Sequence, residues 1–300
     1  MKATFKIIAK GFGMGAADVV PGVSGGTMAL IFGIYPRLIN AIKSFDTDWI
    51  KGIVKFDLDV ILHRPHFAFL IPLMIGIFAA VLFFTRVVPL PVLIRTHPET
   101  IYGLFFGLIL GSALVLMKAT GSWTFKEIRF VIAGIAIGHL IFNMVPMETP
   151  DASWFIFLSG AVAISAMILP GISGSFILLM LKKYAYIFNA IGHFNFAVII
   201  PFTLGMIMGL VLFSRVLSWL LKNWYQETLS TIIGLLVASL WVIWPFQERI
   251  YEMVRGKERL IETQPYFPQQ ITADVNMAAG MIILGLLLVL VINFLSAGET

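Results

Sequence analysis

Long apolar runs without a single charge decide what this chain can fold into. Ile101–Met117 and Ala278–Leu295 each lack Asp, Glu, Lys and Arg. Runs of about 17–25 apolar residues suffice to cross a hydrocarbon core about 30 Å thick. No water reaches that core, so the backbone must satisfy its own polar groups, and such runs are helices. Only 12% of the 300 residues are charged, roughly half the share of a soluble domain. The sequence therefore predicts an integral membrane protein with eight to ten hydrophobic helical segments. They fall near 4–20, 26–43, 68–88, 100–118, 128–146, 153–169, 174–192, 197–221, 228–246 and 276–296.

The net charge of +5 does not point to nucleic acid, because the 21 Lys and Arg lie mostly between the apolar runs, where membrane proteins keep them. Cysteine is absent, which excludes disulfides and thiolate metal sites. Lys6 and Lys10 interrupt the first apolar stretch and no A-x-A-like site follows, so a cleaved signal peptide is not expected. Pro89, Pro91, Gly121, Pro146 and Pro150 punctuate the joins. Residues 44–66 and 247–274 form two longer, more polar connections.

An internal repeat organises the rest. Pro21-Gly22-Val23-Ser24-Gly25-Gly26 recurs 149 residues later as Pro170-Gly171-Ile172-Ser173-Gly174-Ser175. At the same offset Gly11 matches Gly160 and Tyr35 matches Tyr184. Ile71-Pro72-Leu73 then matches Ile200-Pro201-Phe202, and Thr85-Arg86-Val87 matches Ser214-Arg215-Val216, both at an offset of 129. The drop is the longer 44–66 loop. Glu99 matches Glu227 and Gly107 matches Gly234, and Ala133-Gly134 matches Ala279-Gly280 at 146 once the 247–274 loop is passed. Each half, 1–150 and 151–300, reads as a hairpin followed by three spans. The hairpins are 4–43 and 153–192.

Parity then sets the symmetry. Two arms of about 17 residues, each about 25 Å long as helix, are too long together for one crossing. They must go in and come back, by re-entry or by full spanning, and a re-entrant hairpin is the expectation. Two arms plus three spans exchange sides an odd number of times, so the second half enters from the opposite face. The expected fold class is an all-α integral membrane protein of two inverted-topology repeats, an architecture of secondary transporters. With both termini on one side, that side collects Lys43, Lys51, Lys55, Arg64, Lys118, Lys126, Arg129 and Lys222 besides the N-terminal lysines. The narrow excess favours cytoplasmic termini and a cytoplasmic-membrane location.

The repeated linkers carry the first candidate site. Pro and Gly end one helix, and Ser24-Gly25-Gly26-Thr27 or Ser173-Gly174-Ser175 opens the next. A helix start offers free N–H groups and partial positive charge, and glycine lets a ligand approach: a cradle for phosphate or carboxylate. A single copy would more often be a well-capped turn. Two copies at equivalent places in inverted halves favour a binding site. Arg86 and Arg215 are matched cations, each after a hydroxyl residue, and suit either phosphate pairing or snorkelling to the interface. Asp18 is the one acid of the first hairpin and its repeat mate is Met167. It could bind a coupling proton or cation or simply end a solvated helix. Glu99 and Glu227 suit helix starts, and His139, Asn143 and Asn293 suit interhelical hydrogen bonds. No metal-ligand pair, nucleotide P-loop or catalytic His beside Ser24 or Ser173 supports an enzyme; no cofactor is expected.

Ala17-Asp18-Val19-Val20-Pro21-Gly22-Val23-Ser24-Gly25-Gly26-Thr27, continuing to Gly33-Ile34-Tyr35, resembles the signature of the bacterial polyprenyl-phosphate transporter (PopT) family, as does Leu169-Pro170-Gly171-Ile172-Ser173-Gly174-Ser175. The second copy departs from the pattern where Ser175 replaces a Gly-Thr pair. The resemblance covers nearly the whole chain. It implies a flippase that moves undecaprenyl phosphate across the cytoplasmic membrane, outer to inner leaflet, for carrier-lipid reuse in envelope synthesis. Its partners would be the polyprenyl-phosphate lipid, the bilayer and a coupling proton or cation. Two rivals stand: an inorganic-anion channel or exchanger of chloride-channel-like design, and a membrane-embedded polyprenyl-phosphate phosphatase or transferase.

Overall fold

A computed structural model describes residues 2–19, 24–88, 90–121, 123–144, 149–254 and 257–297. The predicted breaks at Pro21-Gly22, Pro89 and Pro146 lie outside the described residues. The first half comprises α1 (Lys2–Asp18), α2 (Gly25–Ile31), α3 (Tyr35–Lys43), α4 (Thr47–Val54), α5 (Leu58–His63), α6 (Phe67–Arg86), α7 (Leu90–Thr96), α8 (Pro98–Ala119) and α9 (Phe125–Phe142). The second comprises α10 (Ser153–Ile168), α11 (Gly174–Met180), α12 (Tyr184–Gly192), α13 (Phe196–Asn223), α14 (Tyr225–Val242), β1 (Gln247–Val254), β2 (Lys257–Pro265) and α15 (Ala273–Ala297).

Two features depart from the sequence expectation. The second arm of each hairpin is two short helices rather than one, α2 with α3 and α11 with α12. The polar 247–274 connection holds an antiparallel ribbon, β1 with β2. Arg249-Ile250-Tyr251-Glu252-Met253-Val254 mixes charge with β-formers, a composition that suits a strand better than the expected loop.

Among the described residues five helices are long and apolar enough to cross a membrane: α6, α8, α13, α14 and α15. The chain is a multi-pass membrane protein. The sixth expected span, α9, is 18 residues long but carries Lys126, Glu127 and Arg129 in its opening turns, where a capping box between Thr124 and Glu127 starts it. Half of the α8 and α14 windows are buried, against 17–28% for α6, α13 and α15. The first two are thus interior and the others present apolar faces outward.

Small residues set the pairing. Helix α1 packs on α6 and α10 on α13. Gly11 lies against the Leu73 carbonyl and Gly76 against that of Ile8, while their repeat mates Gly160 and Gly205 lie against Phe202 and Phe157. None of the four has room for a Cβ, the close backbone approach that lipid-embedded helices favour. The other spans exchange partners between halves: α8 packs on α15 and α9 on α14. Gly107 meets Ile282 there, and its mate Gly234 meets Val131.

Candidate functional site

The hairpin breaks share one backbone design. Gly33 has φ +65° and Lys182, its repeat mate, φ +50°. The Ile34 N–H donates to the Ala29 carbonyl, and the Lys183 N–H to that of Leu178. Each is a helix end closed by a left-handed residue. Glycine reaches that conformation without strain, while lysine pays for its Cβ.

The two hairpin tips meet. Ser24 Oγ donates to the Met167 carbonyl at 3.1 Å. The Gly171 N–H donates to Thr27 Oγ1 at 3.0 Å. The Tyr35 hydroxyl donates to the Ile168 carbonyl at 3.0 Å. All three bonds run from the first copy to the second, and Ser24, Thr27 and Tyr35 are 0–2% exposed. A Cβ on Gly26 would sit 2.8 Å from the Ile168 carbonyl oxygen, so glycine is what allows the contact.

The tips are not equivalent. At the first, Ser24 caps α2 and its Oγ accepts from the Gly26 N–H at 3.1 Å. Asp18 Oδ1 accepts from the Gly25 N–H at 2.7 Å. The Ser24 hydroxyl and the Gly25, Gly26 and Thr27 N–H groups, donors expected to meet a ligand, are therefore engaged within the protein, with a carboxylate in the anion's place. At the second tip Ser173 makes no side-chain cap bond. Its Oγ lies 2.7 Å from Ser175 Oγ, and Ser175 is exposed. No carboxylate is available from the position equivalent to Asp18, which is Met167.

A cavity of 330 Å³ lies at this junction, lined by Asp18, Val19, Met167, Gly174, Ser175 and Tyr184 among others. Asp18, Gly174 and Ser175 thus come together, while Ser24, Gly25, Gly26 and Thr27 are buried and outside this lining. On another face of the α10–α11 hairpin a mainly apolar groove of 430 Å³ runs past Leu158, Val162, Leu169, Ile172, Ile177 and Phe213, and the hydroxyls of Ser159 and Ser165, which also line it, donate to carbonyls of their own helix.

Arg86 and Arg215 border neither space. Arg86 is exposed at the end of α6. Arg215 is half-buried in a separate cavity with Asn40 and Lys43. Glu99 and Glu227 occupy first turns of α8 and α14 as expected, and Glu227 also pairs with Lys126. His139 and Asn143 bond each other one turn apart on α9 rather than bridging helices, and Asn293 is exposed. Among the described residues no group of three or more His, Asp or Glu could hold a metal ion. Sequence reasoning passed over Tyr35 and Tyr184 as site residues. Their exact match at the linker offset was the available signal.

Helical hairpins that meet at one cavity inside a multi-pass bundle have the layout of a membrane transporter. The chain belongs to the undecaprenyl phosphate translocase-like family, whose model matches residues 14–260. It is 38% identical over 241 residues to the polyprenyl-phosphate transporter of Vibrio cholerae, covering 80% of this chain and 78% of that one. It is 35% identical over 258 residues to the polyprenyl-phosphate transporter of Staphylococcus aureus, covering 79% of this chain and 85% of that one. No solved structure matches it.

Proposed function

We propose that this protein is a transporter of polyprenyl phosphate, not an enzyme, and that it returns undecaprenyl phosphate from the outer to the inner leaflet of the cytoplasmic membrane. The observation that carries the reading is the tip-to-tip junction: two repeated Ser-Gly linkers bonded to each other beside a cavity that Asp18, Gly174 and Ser175 line. The family and the two relatives supply the substrate class. A monophosphate on a long apolar tail needs polar donors beside a dry groove. The apolar groove behind the α10–α11 hairpin suits the isoprene units next to the headgroup. A carrier of free chloride or phosphate has no use for it.

In this reading the hairpins re-enter from opposite faces. Three polar contacts support that. Lys43 reaches Ser218 and Lys126 pairs with Glu227, joining segments that parity places at the face of the termini. Lys183 pairs with Asp151, joining segments placed at the other face. The phosphate enters at the open second tip, where Ser173, Gly174 and Ser175 offer donors. It then competes with Asp18 for the Gly25 N–H at the first tip, which would bring Ser24–Thr27 into the binding site. Two anions cannot share one desolvated site, so Asp18 takes a proton as the phosphate arrives. That couples lipid movement to a proton. Arg86 and Arg215 receive the headgroup at the two faces.

The test is leaflet-specific detection of undecaprenyl phosphate in cells lacking this protein and any redundant flippase. The lipid should accumulate on the outer surface. Unchanged surface exposure would rule the function out.

A further inference from the structure

Arg215 does not stand alone at its face. Arg215, Ser218 and Lys222 follow one another at i, i+3 and i+7 on α13, which places them on one side of that helix. Asn40 and Lys43 lie on α3, which packs against it. Two cavities open along this seam. One, of 450 Å³, is bordered by Asn40, Lys43 and Arg215 with the turn into α4. The other, of 350 Å³, is bordered by Asn40, Lys43, Ser218, Lys222 and Tyr225. Lys43 is common to both, and its Nζ donates to Ser218 Oγ at 3.3 Å across the gap between the halves.

The charge balance of the seam is one-sided. Among the described residues, Lys43, Arg215 and Lys222 have no carboxylate partner. The one acid on the border is Asp46. Arg64 engages both its oxygens at 2.8 and 2.6 Å, and this pairing holds its carboxyl low, at about 2. Asp46 is therefore a charge already answered, and it leaves three cations, the Asn40 amide and the hydroxyl residues Ser44, Thr47, Ser218 and Tyr225 bordering open space. Guanidinium and ammonium groups with hydroxyl donors are the chemistry that holds a phosphate monoester.

We infer that the α3–α13 seam is a second phosphate-monoester site, separate from the hairpin cavity, where Lys43 of one half and Arg215 and Lys222 of the other hold the headgroup at the face of the termini. The inference deepens the transporter reading and takes its ligand class from it.

The chain lacks cysteine, so a single bimane label on Leu221→Cys reports on the seam alone. The labelled full-length protein in neutral nanodiscs is titrated with farnesyl monophosphate, farnesol and inorganic phosphate. Farnesyl monophosphate should change the emission and farnesol should not. Lys43→Gln with Arg215→Gln should weaken the response at least tenfold. Lys55→Gln, outside the seam, should shift it less than twofold, and Lys43→Arg with Arg215→Lys should restore most of it. Inorganic phosphate acting at the same concentrations identifies free phosphate as the ligand source; farnesyl monophosphate acting alone identifies the lipid. A double Gln variant that responds within twofold of the parent overturns the site. That result leaves the transporter reading intact if lipid still crosses proteoliposomes. A sensitive response without any lipid crossing keeps the site and removes the transporter reading.

Discussion

The two hairpin tips share a sequence and differ in what fills them. At the first, Asp18 and Ser24 occupy the helix-start donors, and every hydroxyl is buried. At the second, the Ser173 and Ser175 hydroxyls bond each other and Ser175 is exposed beside the cavity. Three changes accompany this: Asp18 against Met167, Gly26 against Ser175 and Thr27 against Phe176. In the mechanism proposed above, the Asp18 carboxylate would keep the first tip closed until another anion takes its place, whereas the second tip, without one, would stay open to ligand. The copies thus diverge from a common turn into a latch and a receptor.

Gly26 and Ser175 are repeat mates, and substituting each with Val should split the tips most widely. At Gly26 the new Cβ meets the Ile168 carbonyl, and overpacking there should cost about 3 kcal/mol and abolish transport. At Ser175 stability should change by less than about 0.5 kcal/mol, with transport reduced. Thermal melting and proteoliposome flux of the purified variants measure both. Equal destabilisation would erase the distinction between the tips.

Asp18 sharpens the comparison next. Asp18→Ala strands the buried Gly25 N–H and should cost about 1–3 kcal/mol. Asp18→Asn keeps an acceptor and should melt close to the parent, yet transport should lose its dependence on pH. A pH profile unchanged in Asp18→Asn would show that the latch carries no proton.

Tyr35→Phe removes the donor to the Ile168 carbonyl and should cost about 0.5–1.5 kcal/mol. Tyr184→Phe, at the mate position beside the cavity, should leave the melting temperature nearly unchanged. The left-handed turns give the last contrast. Gly33→Ala should destabilise by about 1 kcal/mol and Lys182→Gly should stabilise by less than that, since only the second turn now strains a side chain. Denaturation midpoints in one detergent would read both.

Much of this was legible in the chain. The charge-free runs fixed the membrane class, and Pro21–Gly26 against Pro170–Ser175 located both tips. The break at Gly33 was signalled by a glycine, while its mate is hidden under Lys182, because a residue held left-handed by its neighbours leaves no mark in composition. Spacing could place Asp18 near the linker but not on the Gly25 N–H, because that depends on how α1 and α2 fold back. The repeat pairs Arg215 with Arg86, whereas Lys43, which shares its cavity, is far away in sequence and has no place in the repeat pattern. The ribbon was read as loop because its alternation of charge with Ile, Tyr and Val is short.

Opposed entry of the hairpins is the claim on which latch and receptor both rest, and the cysteine-free sequence makes it directly measurable. Lys55, in the connection that follows the first hairpin, and His193, just after the second, are both exposed and serve as sites for single cysteines. A membrane-impermeant maleimide applied to intact cells should label His193→Cys at once and Lys55→Cys only after the membrane is opened. Labelling of both from the same side would contradict the account.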